Sequence, residues 1–580
     1  MPAHKFFMTK RVLALTILIG IIAGLGALVF YTLLHICTQI FLGIAGYHPP
    51  SPAGEKILIG LDVDFPYNRY LLIIIPAIGG LLSGVIVYTF APEAEGHGTD
   101  AVIEAFHKRR GFIRGRVPIV KVVASALTIG SGGSAGREGP IAQIGAGFAS
   151  YIASKLRLSD REKEVLVLCG MSAGIGSIFK SPFGASLFGI EVLYHRDYEA
   201  DAFIPVIISS FVAYGVFASI TGWNAIFETP TYAFSPYELP LFAILGVITG
   251  LLAKLYVYVF YGLRDNFFKK LKIPDHFKPA IGGFMVGLLA YFVPECLATG
   301  YGWVQMAMYG KLAIEIMLIL IFAKILATSF TISSGGSGGV FAPSLVIGAM
   351  IGGVVGLLFK ILFPDIVVEP GIFVLIGMAS FFAGAANVPL ASIIMVSEMT
   401  GGYNILVPAI LASAISYFVS GETTIYEKQL ASKVESPVHM PEYISSLLEA
   451  IKVKEVVSPD VVIVQEDMKL LELESVISKT KHLNLPVVNK KGEYVGIVSL
   501  FDVLALPTSE WDKKTVGDIV KCVFAYVTPE DSLSKAVSKM LQHGILRLPV
   551  VDSAEGGKVI GEVSYDDIVK VLYFKSREIG

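Results

Sequence analysis

Charge is scarce in this chain. Of its 580 residues only 16% are Asp, Glu, Lys or Arg, where soluble domains carry about 25%. Cysteine is scarcer still. Cys37, Cys169, Cys296 and Cys522 are the full set, and their spacing is not that of metal ligands, so all four are read as free and structural. The sequence has no Walker-type phosphate loop, no nucleophilic triad and no paired metal ligands. No enzymatic activity and no required cofactor are therefore expected. The net charge of −2 says nothing about nucleic acid, and none is expected as a partner. Residues 1–11 lead into an apolar run too long for a cleaved signal, with no small-residue cleavage site, so no removed leader is expected.

Apolar residues are abundant: 54% of the chain, with a mean hydropathy of +0.67. Long runs cover 12–34, 70–90, 117–129, 201–221, 239–261, 279–293, 312–330, 345–363 and 402–420. Several reach the roughly 20 residues that cross a bilayer as a helix, and others fall short. Short segments broken by Gly and Pro at matching places in two halves point to a transporter-like fold with a site near the middle of the membrane. The expected fold class is thus a multi-span α-helical membrane protein over 1–430, its halves about 12–221 and 237–426. Beyond about residue 430 charged residues become frequent and spanning runs stop. Residues 431–580 read as a soluble α/β module of ordinary domain size.

One stretch occurs twice. Residues 128–146 read TIGSGGSAGREGPIAQIGA and residues 331–349 read TISSGGSGGVFAPSLVIGA, identical at eleven of nineteen positions with an offset of 203. Lys121 and Lys324 also correspond. Each copy ends an apolar run, turns through glycines and starts a helix near a proline. A helix start leaves several backbone N–H groups without intrahelical partners and carries about half a positive charge, so it binds an anion without a full cation. Two such starts face to face, at 136–140 and 339–343, would make an anion site from which release stays easy. The competing reading is that the glycines only allow close helix packing. Glu138 occurs in one copy alone. A carboxylate there can occupy the anion site itself, and protonation would release it. Alternatively, it forms a static pair with Arg137 or another base. An ionisable group inside a membrane segment is costly, which favours a functional role.

The tail is also a repeat: Leu485-Pro486-Val487-Val488-Asn489 matches Leu548-Pro549-Val550-Val551-Asp552. Each copy reads as strand, amphipathic helix, apolar strand, polar turn, strand and helix. Residues 461–464 read as the first strand, and 489–492 and 553–557 as turns. Basic residues at Lys5, Lys10 and Arg11, and again over 107–121, favour the cytoplasmic side. The N-terminus and the tail are expected inside, in a cell (plasma) membrane protein that crosses the lipid many times.

The motifs Gly136-Arg137-Glu138-Gly139-Pro140 and Gly339-Val340-Phe341-Ala342-Pro343 resemble the signatures of the CLC chloride channels and chloride/proton antiporters. The tail resembles paired CBS domains, at about 451–507 and 513–575. The resemblance implies an inverted repeat with broken and re-entrant helices, a homodimer with one anion path per subunit, and Glu138 as gate. It implies chloride contacts from backbone amides at Gly98, Gly136, Arg137, Gly139, Val340, Phe341 and Ala342, and from the hydroxyl of Tyr426. Without the family, Tyr426 would read as an interfacial tyrosine. The family's serine signature is replaced by Gly96-His97-Gly98-Thr99-Asp100. His97 is then either an anion donor that also titrates near neutral pH or an ordinary turn histidine. At the inner proton-site position stands Val192, next to Glu191, which recurs as Glu398 and so reads as scaffold. In the tail, Ser499 with Asp502 and Ser564 with Asp567 resemble contacts for an adenine nucleotide. The alternative there is helix capping.

These features together predict transmembrane chloride transport by a voltage- or pH-gated channel with a glutamate gate and a CBS regulatory module. The chloride/proton antiporter is the alternative. A CBS-bearing divalent-cation transporter is weaker, because magnesium takes oxygen ligands and the glycine turns present N–H groups.

Overall fold

The computed structural model describes residues 9–61, 63–230, 232, 234–480, 482–521, 525–553 and 557–579. Cys522 and positions 554–556 of the second predicted turn lie outside them. The chain forms two units, Met1–Val438 and His439–Gly580.

Among the described residues the first unit contains two runs of eight α-helices. The first run is α1 (Lys10–Ile44), α2 (Arg69–Phe90), α3 (Thr99–Lys108), α4 (Val117–Gly130), α5 (Glu138–Lys155), α6 (Asp160–Ile178), α7 (Pro182–Glu191) and α8 (Phe203–Thr221). The second is α9 (Leu239–Asn266), α10 (Lys278–Phe292), α11 (Tyr301–Met308), α12 (Ile314–Ser333), α13 (Phe341–Leu362), α14 (Gly371–Ala386), α15 (Pro389–Met399) and α16 (Leu406–Ser420). Each helix has its counterpart eight places on, and the packing repeats too: α5 lies on α6 as α13 lies on α14, and α1 on α8 as α9 on α16. Among the described residues, seven helical segments are long and apolar enough to span a membrane.

The nine apolar runs all became helices, but α3, α5, α6, α7, α11, α14 and α15 were not among them. Of these, α5 is expected from its start at 136–140, and α5, α6 and α14 carry Gly and Ala where they pack on protein. α5 and α6 cross so closely that a Cβ at Gly145 would strike the carbonyl of Gly170, and Gly348 meets that of Gly377 in the second half. Small residues at such crossings let backbones approach.

Polar groups inside the unit are tied up in equivalent ways. Lys121 Nζ donates to the carbonyls of Ala94 and Gly96 at 2.9 and 2.8 Å. Lys324 Nζ donates to those of Cys296 and Ala298 at 3.0 and 2.7 Å. Each lysine thereby fixes the turn before a short helix that starts after a positive-φ glycine, Gly98 before α3 and Gly300 before α11, both at +83°. Lys180 and Asn387 are a second matched pair, at φ +50° and +55° just ahead of α7 and α15.

The second unit holds α17 (Met440–Ala450), β1 (Val464–Gln465), α18 (Leu470–Thr480), β2 (Asn484–Val488), β3 (Tyr494–Ser499), α19 (Leu500–Leu504), α20 (Leu533–His543), β4 (Arg547–Val551), β5 (Val559–Ser564) and α21 (Tyr565–Ile579). β1 pairs parallel with β2, and β2 antiparallel with β3. β4 and β5 repeat the antiparallel pair. The first strand is shorter than expected, covering 464–465 rather than 461–464, and in the second copy it shrinks to a single bridge from Val527 to Val550.

Candidate anion site

The two glycine turns meet. Gly136 N–H donates to Gly339 O at 2.7 Å, and Gly339 N–H to Gly136 O at 2.6 Å. Equivalent residues exchanging equivalent bonds define a local two-fold relation. Hydroxyl pairs brace it on either side: Ser134 with Thr328 and Ser125 with Ser337, each at 2.9 Å. This geometry corrects one expectation. The Gly136 amide is committed to Gly339 and is not a free anion donor.

The pairing sets the first turns of α5 and α13 side by side. Neither helix has a side-chain cap of its own. Glu138 fills that role from across the repeat. Its carboxylate is buried at 2% exposure and accepts from the Phe341 N–H and, at 3.4 Å, from the Ala342 N–H. A side chain at Gly339 would collide with that carboxylate. The carboxyl oxygens therefore occupy the start of α13, where unpaired amides and the helix dipole favour negative charge.

Static pairing of Glu138 with Arg137 is overturned. Arg137 is ion-paired with Glu55, from the loop between α1 and α2. Its guanidinium also lies 5.7, 5.6 and 5.3 Å from the ring centres of Tyr31, Phe179 and Tyr301. Sequence reasoning missed Glu55, since nothing local marks it.

Tyr426 is fully buried rather than interfacial. Its hydroxyl has no hydrogen-bond partner of good geometry among the described residues, and the same holds for Tyr256 and Tyr301. All three lie within electrostatic reach of Glu138. Thr99 lies beside the Tyr426 hydroxyl and Ser344 beside that of Tyr256, so these buried donors are held loosely near the carboxylate. His97 is buried as well. Its Nε2 is 3.2 Å from Asp100 Oδ2, its Nδ1 has no partner among the described residues, and its ring centre is 5.4 Å from that of Tyr426. His97, Gly98 and Asp100 line a cavity of about 560 Å³. Gly98 must be glycine, since a Cβ there would strike the carbonyl of Gly139.

The family model described as voltage gated chloride channel matches residues 79–421, well over half of the chain. The chain belongs to this family. Two CBS domain matches follow, at 453–508 and 516–573. The H(+)/Cl(−) exchange transporter ClcA of Vibrio cholerae is 31% identical over 409 residues, covering 69% of this chain and 84% of that protein. An uncharacterized protein of Methanocaldococcus jannaschii is 29% identical, covering 67% and 95%. Among solved structures, a slow cyanobacterial Cl−/H+ antiporter superposes with a TM-score of 0.62 at 23% identity, covering 71% of this chain and 95% of that one. A eukaryotic CLC transporter gives 0.58 at 19%, covering 96% and 98%.

As a member of this family the protein is a multi-span membrane transporter of chloride with a C-terminal CBS module, and the divalent-cation reading falls away. Its Val192 is buried at the end of α7. Glu191 beside it accepts from the N–H groups of Leu390 and Ala391 at 3.1 and 2.7 Å, at the start of α15. Glu398 does the same for α7, accepting from Phe183 and Gly184 at 3.2 and 2.8 Å. The repeated glutamates thus cap each other's helix.

In the CBS module, Ser499 with Asp502 and Ser564 with Asp567 form helix caps: Asp502 N–H donates to Ser499 Oγ and Asp567 N–H to Ser564 Oγ, each at 3.2 Å. Asp502 also binds Lys521 Nζ at 2.7 Å. Burial alone would raise its carboxyl, but the hydrogen bonds from Lys521 and Ser499 outweigh that and hold it below the usual range. Asp567, Arg547 and Lys570 line a cavity of about 550 Å³.

Proposed function

We propose that this protein exchanges chloride for protons, with the Glu138 carboxylate and chloride taking turns on the α13 amides. The observation that carries this is the Glu138 carboxylate held by Phe341 and Ala342 N–H groups. The occupant of the site is an anion that a proton can neutralise. A neutral acid binds a helix start less well, so protonation favours its departure and chloride's entry. Arg137, Gly139, Val340 and Tyr426 are the further groups proposed to face the anion. The exchange function named for the Vibrio relative supports coupling over passive flow. The channel reading has one observation in its favour: Val192 is apolar and Glu191 is committed to α15.

Chloride-driven proton pumping in liposomes, with an uncoupler control, separates the two. Exchange predicts uphill proton movement in the wild type and none in Glu138→Ala, with chloride flux there independent of pH. Chloride flux without pumping would make the protein a channel. If pH dependence survives in Glu138→Ala, the gate assignment is wrong.

The reading extends to a homodimer in the cell membrane, with the N-terminus and CBS module cytoplasmic. It also includes an adenine nucleotide at the CBS module. The cavity beside Asp567, Arg547 and Lys570 supports that, since carboxylate and cationic groups suit a ribose and its phosphates.

A further inference from the structure

Among the described residues, the titratable or charged side chains close to Glu138 are Tyr256 on α9, Tyr301 on α11, Tyr426 after α16, Lys121 on α4 and His97 at the start of α3. His97 and its partner Asp100 also line the cavity with Glu93, Glu95, Glu104, Arg109, Arg114, Arg264, Lys269, Asp275, Lys278, Glu427 and Lys428. Glu138 is the exchanging acid. Lys121 Nζ is held by two carbonyls. A phenol does not titrate near neutral pH. Only an imidazole normally gains and loses a proton there.

We propose that His97, oriented by Asp100, is a proton site on the anion's own path, taking up a proton together with chloride and passing it to Glu138. This rests on the exchange reading above. The geometry sets the chemistry. Asp100 Oδ2 faces Nε2 at 3.2 Å, and an ionised carboxylate only accepts, so Nε2 carries the hydrogen. The other oxygen, Oδ1, accepts from the Lys428 N–H at 3.2 Å, which holds Asp100 in place. A neutral ring then presents a bare lone pair at Nδ1, the atom that is buried and unpartnered among the described residues. A lone pair repels chloride, whereas a protonated Nδ1–H donates to it. Proton and chloride therefore stabilise each other at this ring, and the linkage is reciprocal.

The steps balance. A proton from water, which enters with chloride through the 560 Å³ cavity that His97 lines, adds to the buried Nδ1 and gives imidazolium. Imidazolium, whose charge acts on Glu138, then gives that proton through the water that enters with chloride to the Glu138 carboxylate, leaving neutral imidazole and neutral acid. Glu138 releases the Phe341 and Ala342 amides, and chloride takes them.

Two measurements test this. In liposomes, His97→Gln keeps an N–H donor but carries no proton, and His97→Ser offers a hydroxyl. Proton flux should fall about a hundredfold more than chloride flux in each, the low end of what a positioned proton-transfer group supplies. Asp100→Asn should move half-maximal coupling to lower pH. An unchanged proton-to-chloride ratio, or equal loss of both ions, overturns the proposal. The second measurement does not depend on exchange. Calorimetric chloride affinity, in a Glu138→Gln background, should rise as pH falls through neutrality, by up to about tenfold per pH unit, and should be flat with His97→Gln added. A flat profile before that addition overturns the role of His97 even if the wild type pumps protons. Absence of pumping with a sloping profile removes the exchange reading and leaves the linkage.

Discussion

At the scale of single residues, the Glu55–Arg137 pair shows how position changes the meaning of a charge. Arg137 adjoins Glu138 in sequence, yet its charge is answered from the α1–α2 loop and by three aromatic rings. Removing one partner of a buried pair strands the other, at about 3–5 kcal/mol. Glu55→Ala should therefore lower the thermal midpoint of the detergent-solubilised protein far more than a surface Glu→Ala. Joint replacement of Glu55 and Arg137 by apolar residues of similar volume should recover most of the loss. If Glu55→Ala melts like the wild type, the pair is structurally idle. Glu138 is the opposite case. It has no cationic partner among the described residues, only amides, and so its proton can come and go without leaving a stranded base.

At the scale of elements, the two half-helices α7 and α15 cannot satisfy their own first turns, because each begins with proline and lacks a capping side chain. Glu398 and Glu191 supply the missing acceptors from the opposite half. Glu191→Ala and Glu398→Ala should each destabilise by about 1–3 kcal/mol for the amides left unpaired, and by similar amounts, as read from denaturation in detergent. A large effect from one and none from the other would break the symmetry argument. The prediction also separates Glu191 from proton transport, since its loss should leave the proton-to-chloride ratio intact. In the CBS module, the depressed carboxyl of Asp502 gives a pH signature. Its folded-state value lies below the unfolded one, so the stabilisation is present above about pH 4. It is lost as pH falls through the folded value. Amide exchange at the start of α19 should accelerate in that acid window in the wild type and show no such step in Asp502→Asn.

At the scale of the whole molecule, the division at Val438 makes the first unit a complete repeat with its own core. Truncation after Val438 should leave a folded protein that still carries chloride, with any response to adenine nucleotide abolished. Loss of all flux in a folded truncation would show that the CBS module is needed for transport itself. The duplicated glycine turns, the Glu present in one copy, the nine apolar runs and the paired tail were all legible in the chain, because each is a local pattern of residue types. α6 escaped notice because its first turns are charged and its length is weakly apolar, whereas α14 is strongly apolar but, at 16 residues, shorter than a full span.

Sequence alone determined that this chain crosses a membrane repeatedly, duplicates an anion-friendly turn and places one acid beside it. Only the tertiary structure decided which groups meet there. Gly136 turned out to be bonded to Gly339, Tyr256 and Tyr301 joined Tyr426, Glu55 answered Arg137, and His97 met Asp100 through Nε2 while its Nδ1 found no partner among the described residues. Spacing along a chain specifies where a helix begins. The partner of a buried donor is set by which distant segments the packing brings within three ångströms, and no local pattern encodes that.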